Sequence, residues 1–185
     1  MKQKLFLDFD GVIVDSVKAY CDLYNEEFKV YKNFNKANYK KVNKWNFSDQ
    51  CPLAVSYIEN MFSSYKFFDL LKLMDNNTIQ IIKELQNKYK VIVCSIGTPE
   101  NISYKASWIK DILNIDDMIL IAKNNAAIGK SIIDMSESII IDDHEDNLIT
   151  SNANMKICFG ETKSWNKNWK GIRVNNWSEL KEFLL

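Results

Sequence analysis

Short apolar runs alternate along this chain with longer stretches in which apolar residues recur every three to four positions. The short runs predict buried β-strands, and the periodic stretches predict amphipathic helices. Alternation of the two is typical of a parallel sheet covered by helices on both faces. The pattern predicts five strands, the first beginning at Leu5 and the others at 91–95, 118–122, 138–141 and 155–159. It predicts helices at 17–28, 53–65, 78–89, 99–113 and 178–184.

The predicted elements divide the chain into a core and an insertion. Residues 15–74 are too many for the roughly two to six residues that usually connect a strand to the next helix in such folds, and they carry helical patterns of their own. We therefore predict a small helical cap at 15–74, inserted after the first strand. The rest, 1–14 and 75–185, should form a Rossmann-like α/β core whose ligands bind beyond the carboxyl ends of the strands.

Two acidic residues, Asp8 and Asp10, stand where the first strand ends. Side chains two positions apart on a strand point the same way, so both carboxylates should project from the same edge of the sheet. Two such charges about 5 Å apart repel by roughly 3 kcal/mol, even at an effective dielectric of about 20. Gly11 then allows a sharp turn without a Cβ penalty. The pair predicts a site where a cation or substrate chemistry requires both carboxylates.

A second acidic group follows the fourth strand, where Asp142 and Asp143 are followed by Glu145 and Asp146. If the first and fourth strands are neighbours, carboxylates from both meet at one crevice. They cannot all stay ionised there without compensating positive charge. Oxygen ligands with room for water and phosphate are the preference of Mg²⁺, so we predict Mg²⁺ as the cofactor. The alternative is an ordinary acidic turn at the end of a strand.

Composition narrows the possible partners and location. The 24 basic and 24 acidic residues cancel, so no overall field favours nucleic acid or an anionic membrane. No run approaches the roughly 20 apolar residues that a membrane-spanning helix needs. The four cysteines are scattered without a Cys-x-x-Cys motif, which is typical of a reduced, cytoplasmic protein. A lysine-rich stretch at 29–44 is the local exception to the charge balance.

Residues 8–12, Asp-Phe-Asp-Gly-Val, resemble the first motif of the haloacid dehalogenase (HAD) superfamily. In the phosphatases of that superfamily the first Asp attacks phosphorus and forms an aspartyl-phosphate, and the second acts as general acid and then base. The resemblance implies these roles for Asp8 and Asp10, with Asp8 and the backbone carbonyl of Asp10 helping to hold Mg²⁺. The dehalogenases proper lack the second acid, so Asp10 favours phosphate chemistry.

The resemblance also implies a hydroxyl that hydrogen-bonds a phosphate oxygen and a lysine that neutralises the nucleophile and the phosphate. Ser95, in the second predicted strand, matches the hydroxyl position, with Thr98 as the alternative. Thr98 precedes a proline and is also a good helix cap. Lys130 matches the lysine in the order of motifs, and Lys123 at the end of the third predicted strand is the alternative.

The fourth motif of the superfamily resembles the acidic pair after the fourth strand. The resemblance implies Asp143 as the direct metal ligand and Asp142 as its neighbour or an alternative ligand. His144 is the only histidine of the chain. We interpret it as a surface residue, because Asp10 already fills the acid–base role.

Within the superfamily, the chain is most similar to the 5'(3')-deoxyribonucleotidase-like group. The similarity lies in the short cap and in four sequence segments, 44–47, 95–108, 129–148 and 164–177. In that group aromatic residues of the cap pack on the nucleobase, which makes Trp45 and Phe47 candidates for substrate binding. Stacking of a base on an aromatic side chain contributes about 1–3 kcal/mol. The alternative is that both belong to the small core of the cap itself.

Together these motifs predict a Mg²⁺-dependent HAD-type phosphatase, a 5'(3')-nucleotidase that hydrolyses (deoxy)nucleoside monophosphates as a monomer or homodimer. The expected substrate-binding residues are Asp10, Ser95, Lys130, Trp45 and Phe47. Two other enzymes stay open, a phosphatase of another small metabolite such as a sugar phosphate or phosphoglycolate, and a nucleic-acid end phosphatase. The non-enzyme alternative is a catalytically silent binding module. The complete set of motif residues disfavours it.

Overall fold

The computed structural model of this chain describes residues 2–125 and 129–185. These residues contain a sheet of six strands: β1 (Lys4–Leu7), β2 (Lys90–Gly97), β3 (Met118–Ala122), β4 (Ile139–Asp142), β5 (Met155–Phe159) and β6 (Ile172–Val174). The strands all run parallel, in the order β3–β2–β1–β4–β5–β6. The predicted α/β class and the Rossmann-like parallel sheet are thereby confirmed. The predicted count of five strands was one too few, because β6 has only three residues and shows no usable periodicity.

β1 lies at the centre of the sheet, between β2 and β4. Successive side chains of a strand point to opposite faces, and here Leu5 and Leu7 pack in one buried apolar cluster while Phe6 packs in another. Both faces of the sheet are therefore covered, as expected for short strands that are apolar throughout. The carboxyl ends of β1, β2 and β4 meet at one edge, which is where the acidic motifs stand.

In the described part of the chain, seven α-helices accompany the sheet: α1 (Ser16–Glu27), α2 (Ile58–Phe62), α3 (Tyr65–Leu70), α4 (Thr78–Lys88), α5 (Pro99–Trp108), α6 (Glu145–Thr150) and α7 (Trp177–Leu184). The continuous helix predicted at 53–65 is wrong. A 3₁₀ segment at Pro52–Tyr57 leads into α2, and a break at residues 63–64 separates α2 from α3. Ser64 makes this break because its side chain caps α3 by accepting a hydrogen bond from the backbone N–H of Phe67.

The chain leaves and re-enters the core at two adjacent backbone positions. Val14 forms an isolated antiparallel bridge with Leu73, and the N–H of Asp15 donates to the carbonyl of Lys72 at 2.9 Å. The residues between these points form α1, α2 and α3 with their connections. We therefore propose that residues 15–74 are the cap, and we use that name for them below.

The cap shares its apolar interior with the core. Tyr20 of α1 stacks on Phe47, with ring centroids 4.3 Å apart, and Phe47 also packs on Phe62 of α2. These rings belong to, or pack against, the same buried cluster as Leu5 and Leu7 of β1. Burial of apolar surface therefore stabilises the cap and the core together.

Candidate active site

Asp8 and Asp10 follow β1 at the carboxyl edge of the sheet. The N–H of Asp8 donates to the carbonyl of Ile141 in β4 at 2.9 Å, which continues the strand pairing by one residue. Gly11 then turns the chain with a φ of 70°. A Cβ at Gly11 would lie only 2.5 Å from Oδ2 of Asp143. Glycine is therefore needed here both for the left-handed backbone and for the close approach of a carboxylate.

Asp142 and Asp143 stand at the end of β4, beside the end of β1. Carboxylate oxygens of Asp8, Asp142 and Asp143 lie within 4.8 Å of one another. Asp142 is fully buried, and its Oδ1 accepts hydrogen bonds from the backbone N–H of His144 at 2.9 Å and from the side chain of Asn147 at 3.1 Å. The sheet order thus brings the two acidic motifs together.

Lys130 lies among these carboxylates. Its ammonium is fully buried and donates to Oδ1 of Asp8 at 2.8 Å and to Oδ2 of Asp142 at 2.6 Å. Burial alone would lower the pKa of Lys130, but the attraction of Asp142 and Asp8 outweighs it, so the pKa is raised and the side chain stays charged. Lys123, the alternative, lies at the surface and pairs with Glu59 of the cap. Of the two candidates, Lys130 contacts the carboxylates.

Ser95 and Asp10 are joined by a second buried lysine, Lys105 of α5. Its ammonium donates to Oδ2 of Asp10 at 2.5 Å and to Oγ of Ser95 at 2.9 Å. Burial raises the pKa of Asp10, and the charge of Lys105 opposes that shift. Thr98, the alternative hydroxyl, caps α5 by accepting from the N–H of Asn101 at 3.2 Å. Of the two hydroxyls, Ser95 is therefore the one that shares the ammonium of Lys105 with Asp10.

The donor set suits a hard divalent cation. Four carboxylates, at positions 8, 10, 142 and 143, face two ammonium groups, at 105 and 130, so ionisation of all four would leave two negative charges without a counterion. Desolvation raises the pKa of Asp143 well above its usual range, and the neighbouring Asp142 and Asp8 add to the shift. A cation with oxygen ligands would reverse that shift and keep Asp143 ionised. Among the described residues, the side chain of Asp10 is not part of this three-carboxylate cluster.

A cavity of about 400 Å³ opens above these groups, between the sheet edge and the cap. Its floor includes Asp8, Asp10 and Lys130, and its cap side includes Trp45 and Phe47. Trp45 is 58% exposed, whereas Phe47 is 5% exposed and packs mainly inside the cap. We call this cavity the crevice. It has room for a small molecule, since ligand sites usually enclose about 300–1,000 Å³.

Comparison with known families gives a match over almost the whole chain. The family model described as "5' nucleotidase, deoxy (Pyrimidine), cytosolic type C protein" matches residues 2–185. The chain belongs to this family. It is accordingly a HAD-type phosphoric monoester hydrolase, and the family expected from the sequence motifs is confirmed. A direct comparison with curated proteins finds no match.

Solved structures with the same fold are distant in sequence. A predicted phosphatase from Clostridium acetobutylicum has 15% identity and a TM-score of 0.68, covering 99% of this chain and 98% of that one. YfnB, a HAD-hydrolase from Bacillus subtilis solved with magnesium, has 14% identity and a TM-score of 0.58, with 100% and 99% covered. CbbY from Rhodobacter sphaeroides, solved with xylulose-(1,5)bisphosphate, has 13% identity and a TM-score of 0.60, with 97% and 96% covered. At such identities the similarity establishes the fold.

Two residues of the site were missed from the sequence. Lys105 lies on α5, whose buried residues are Asn101 and Lys105, so the inward face of this helix is polar. Trp165 is 8% exposed and donates its indole N–H to Oδ2 of Asp143 at 2.9 Å. The spacing of four residues places Asn101 and Lys105 on one helix face, but nothing in the sequence indicates that this face is buried. For Trp165 no local signal exists.

Trp165 also connects the acidic cluster to the cap. Its ring meets the ring of Trp45 edge-on at 5.6 Å, and Trp45 meets His144 in the same manner at 4.6 Å. His144 therefore lies against the aromatic side of the crevice, with its side chain 19% exposed, rather than on the open surface as expected.

Among residues 2–125 and 129–185, no helix is long and apolar enough to span a bilayer.

Proposed function

We propose that this protein is a Mg²⁺-dependent phosphatase that hydrolyses nucleoside monophosphates through an aspartyl-phosphate on Asp8. One observation carries the proposal. The Asp8 carboxylate stands at the floor of the crevice, held by Lys130 at 2.8 Å, with carboxylate oxygens of Asp142 and Asp143 within 4.8 Å. A nucleophile, a neutralising cation and an oxygen-rich ligand set are the parts that in-line phosphoryl transfer requires.

The first half-reaction forms the covalent intermediate. An oxygen of Asp8 attacks phosphorus, the bond from phosphorus to the ester oxygen breaks, and Asp10 donates a proton to the departing alcohol. Ser95 donates its hydroxyl hydrogen to a phosphoryl oxygen, and Lys130 offsets the charge on Asp8 and the phosphoryl group. Mg²⁺, held by Asp8, Asp143 and the backbone carbonyl of Asp10 with Asp142 beside it, would supply further positive charge for the phosphoryl oxygens.

The second half-reaction restores the enzyme. Asp10, now ionised, takes a proton from a water molecule, whose oxygen attacks phosphorus. The bond between phosphorus and Asp8 breaks, inorganic phosphate leaves, and Asp8 is again a free carboxylate. Protons balance over the cycle because the one given to the alcohol is recovered from water.

The aromatic side of the crevice supports a nucleotide as the substrate. Trp45 offers an exposed ring above the floor, braced edge-on by Trp165 and His144. A base stacked on such a ring gains about 1–3 kcal/mol without a sequence-specific hydrogen bond. Phe47 lines the same side but is largely buried, so its contribution is to hold the shape of the wall. Family membership points to the same substrate class.

The cysteines support the expected reducing, cytoplasmic location. Cys21, Cys51, Cys94 and Cys158 are free and buried. A secreted protein of this size would more commonly join such residues in disulfides.

A panel of phosphate monoesters tests the proposal. Wild-type protein with Mg²⁺ should hydrolyse dTMP or dUMP faster than glucose 6-phosphate, phosphoglycolate or a 5'-phosphorylated oligonucleotide. Asp8→Asn should lose activity by a factor on the order of 10³ or more, since removal of a nucleophile has effects of that size. Asp117→Asn is the matched control, because Asp117 is an exposed carboxylate that pairs with Lys90.

The outcomes separate the alternatives. Faster turnover of sugar phosphate or phosphoglycolate would replace the nucleotide by another metabolite, and preference for the oligonucleotide would favour end processing. Binding of dTMP without turnover of any ester would mean a silent binding module. Full activity in Asp8→Asn would eliminate the covalent mechanism.

A further inference from the structure

Lys105 is a buried cation that the motifs of the site do not account for. It lies in the middle of α5 and is only 1% exposed. A buried ammonium is costly unless each of its N–H groups has an acceptor. All three donors are satisfied here, by Oδ2 of Asp10, Oγ of Ser95 and the carbonyl of Ile96. The Lys105 ammonium therefore links α5 to Asp10, Ser95 and Ile96 through three hydrogen bonds.

The orientation of the Asp10 carboxylate depends on its hydrogen bond with Lys105. Within the described ranges, the side chain of Asp10 has Lys105 as its one hydrogen-bond partner, while Oδ1 is enclosed by protein and has none. The ammonium also lies over the ring of Phe9, 5.5 Å from its centroid, which limits its own movement. Without Lys105 the carboxylate could rotate, and the oxygen that exchanges a proton with the leaving group would lose its fixed position.

Ser95 is oriented by the same contact. Because Lys105 donates to Oγ of Ser95, the hydroxyl hydrogen of Ser95 remains free to be donated to a phosphoryl oxygen. One lysine thereby fixes both the acid–base carboxylate and the hydroxyl that receives the phosphate. The ammonium of Lys105 lies 2.5 Å from Oδ2 of Asp10 and 2.9 Å from Oγ of Ser95, and so it sets the relative position of these two side chains.

Lys105 does this without reaching the substrate. The described residues that line the crevice include Asp10, Ser95 and Lys130, and Lys105 is not among them. Its donors are all used by protein acceptors, whereas Lys130 lies at the floor beside Asp8. Lys105 is therefore a positioning residue and not a phosphate ligand.

We propose that Lys105 positions Asp10 for proton transfer to the leaving alcohol, and Ser95 for the phosphoryl group. This inference rests on the function proposed above. The proposal predicts that loss of Lys105 affects some esters more than others. An ester whose leaving group is a poor one, such as the alkoxide of a nucleoside or sugar, needs the proton from Asp10. An ester with an activated aryl leaving group does not.

The test is how strongly the loss of activity in Lys105→Met depends on the leaving group of the ester. We would measure kcat/KM, which reports the steps up to release of the alcohol, for p-nitrophenyl phosphate and for the alkyl monoester that wild-type protein hydrolyses fastest. General acid catalysis contributes about 10²–10⁴-fold. The alkyl ester should lose about 100-fold or more, and the aryl ester less than about 10-fold. Lys110→Met is the control, since Lys110 is an exposed lysine just beyond α5 that pairs with Asp116.

A second variant and a double variant guard against a folding defect. Lys105→Gln keeps a hydrogen-bond donor without the charge and should give a smaller selective loss in the same direction. Adding Lys105→Met to Asp10→Asn should cost the alkyl ester little beyond the loss in Asp10→Asn alone, because the two residues act as one unit. Circular dichroism and thermal unfolding accompany each variant.

Equal losses for the two esters in the folded variants would overturn the proposal, and so would losses that multiply in the double variant. If Lys105→Met does not fold, the comparison of esters in Lys105→Gln decides by the same criterion. A wild-type protein that hydrolyses neither ester would refute the phosphatase function and this inference together. Wild-type activity with uniform losses would refute only the role of Lys105.

Discussion

Trp165→Phe is expected to weaken Mg²⁺ binding while leaving the fold intact. The indole N–H of Trp165 donates to Oδ2 of Asp143 at 2.9 Å, and Asp143 is the residue that we propose as the direct metal ligand. Phenylalanine removes that donor and retains an aromatic ring to pack on Trp45, which lies 5.6 Å away in the wild type. The substitution therefore isolates one hydrogen bond from the packing around it.

The magnitude follows from the nature of the bond. A hydrogen bond to a charged group contributes about 1.5–3 kcal/mol, and loss of a group that orients a metal ligand commonly costs about 10–100-fold in affinity or activity. The two ranges agree, since each 1.4 kcal/mol is about tenfold. The bond is largely shielded from water, because Trp165 is 8% exposed. We therefore expect the Kd for Mg²⁺ to rise by about 10–100-fold.

Isothermal titration of the protein with MgCl₂, without substrate, measures this directly. Trp169→Phe is the matched control, because the indole N–H of Trp169 donates to the carbonyl of Ile172, at a distance of 2.8 Å and away from the carboxylates. Thermal unfolding without Mg²⁺ should stay cooperative in both variants, each of which loses one indole hydrogen bond. An unchanged Kd in Trp165→Phe would refute the assignment of Trp165 to the orientation of Asp143.

Three further changes have distinct expected results. Gly11→Ala should reduce both thermal stability and activity, because its Cβ would lie 2.5 Å from Asp143 Oδ2 at a φ of 70°; wild-type values for both would contradict the close approach. Trp45→Ala should raise the KM for dTMP by roughly 5- to 150-fold and leave the KM for p-nitrophenyl phosphate nearly unchanged; equal effects on both would speak against stacking. Asp134 accepts hydrogen bonds from the side chain of Asn152 and from the backbone and side chain of Ser136, which lower its pKa from 3.8 to about 2. Its contribution to stability is full above pH 3.8 and is lost as the pH falls through 2. The difference in urea midpoint between wild type and Asp134→Asn should therefore shrink from pH 5 to pH 3, and a constant difference would contradict this.

The parts of the site that follow strand ends were predictable from the sequence. Asp8, Asp10 and Gly11 are determined locally, because alternation along a strand fixes the direction of both carboxylates and glycine permits the turn. Asp142 and Asp143 follow from the same rule once β4 lies beside β1. Because the connections between parallel strands are right-handed, only a few strand orders are possible, and some of them place β4 beside β1. Lys130 could be placed only by its order among the motifs.

The parts fixed by tertiary contacts were not predictable. Lys105 and its partner Asp10 are 95 positions apart, and a lysine in an amphipathic helix is ordinarily solvated. The interior face of α5 begins with Asn101, which donates to the carbonyl of Phe62 in the cap at 2.7 Å. Neither polar residue has a reason to be buried until its partner is known. Trp165 lies in an irregular segment, where periodicity gives no information.

The position of β1 between β2 and β4 explains why the site contains two buried lysines. Each neighbouring strand leads to or from one of them, since α5 after β2 carries Lys105 and the turn before β4 carries Lys130. Lys105 binds Asp10, and Lys130 binds Asp8. The two carboxylates of one short motif therefore have separate counterions from opposite sides of the sheet centre. The proposed reaction uses this arrangement, since Lys130 holds the carboxylate that attacks phosphorus and Lys105 holds the carboxylate that exchanges a proton with the leaving group and with water.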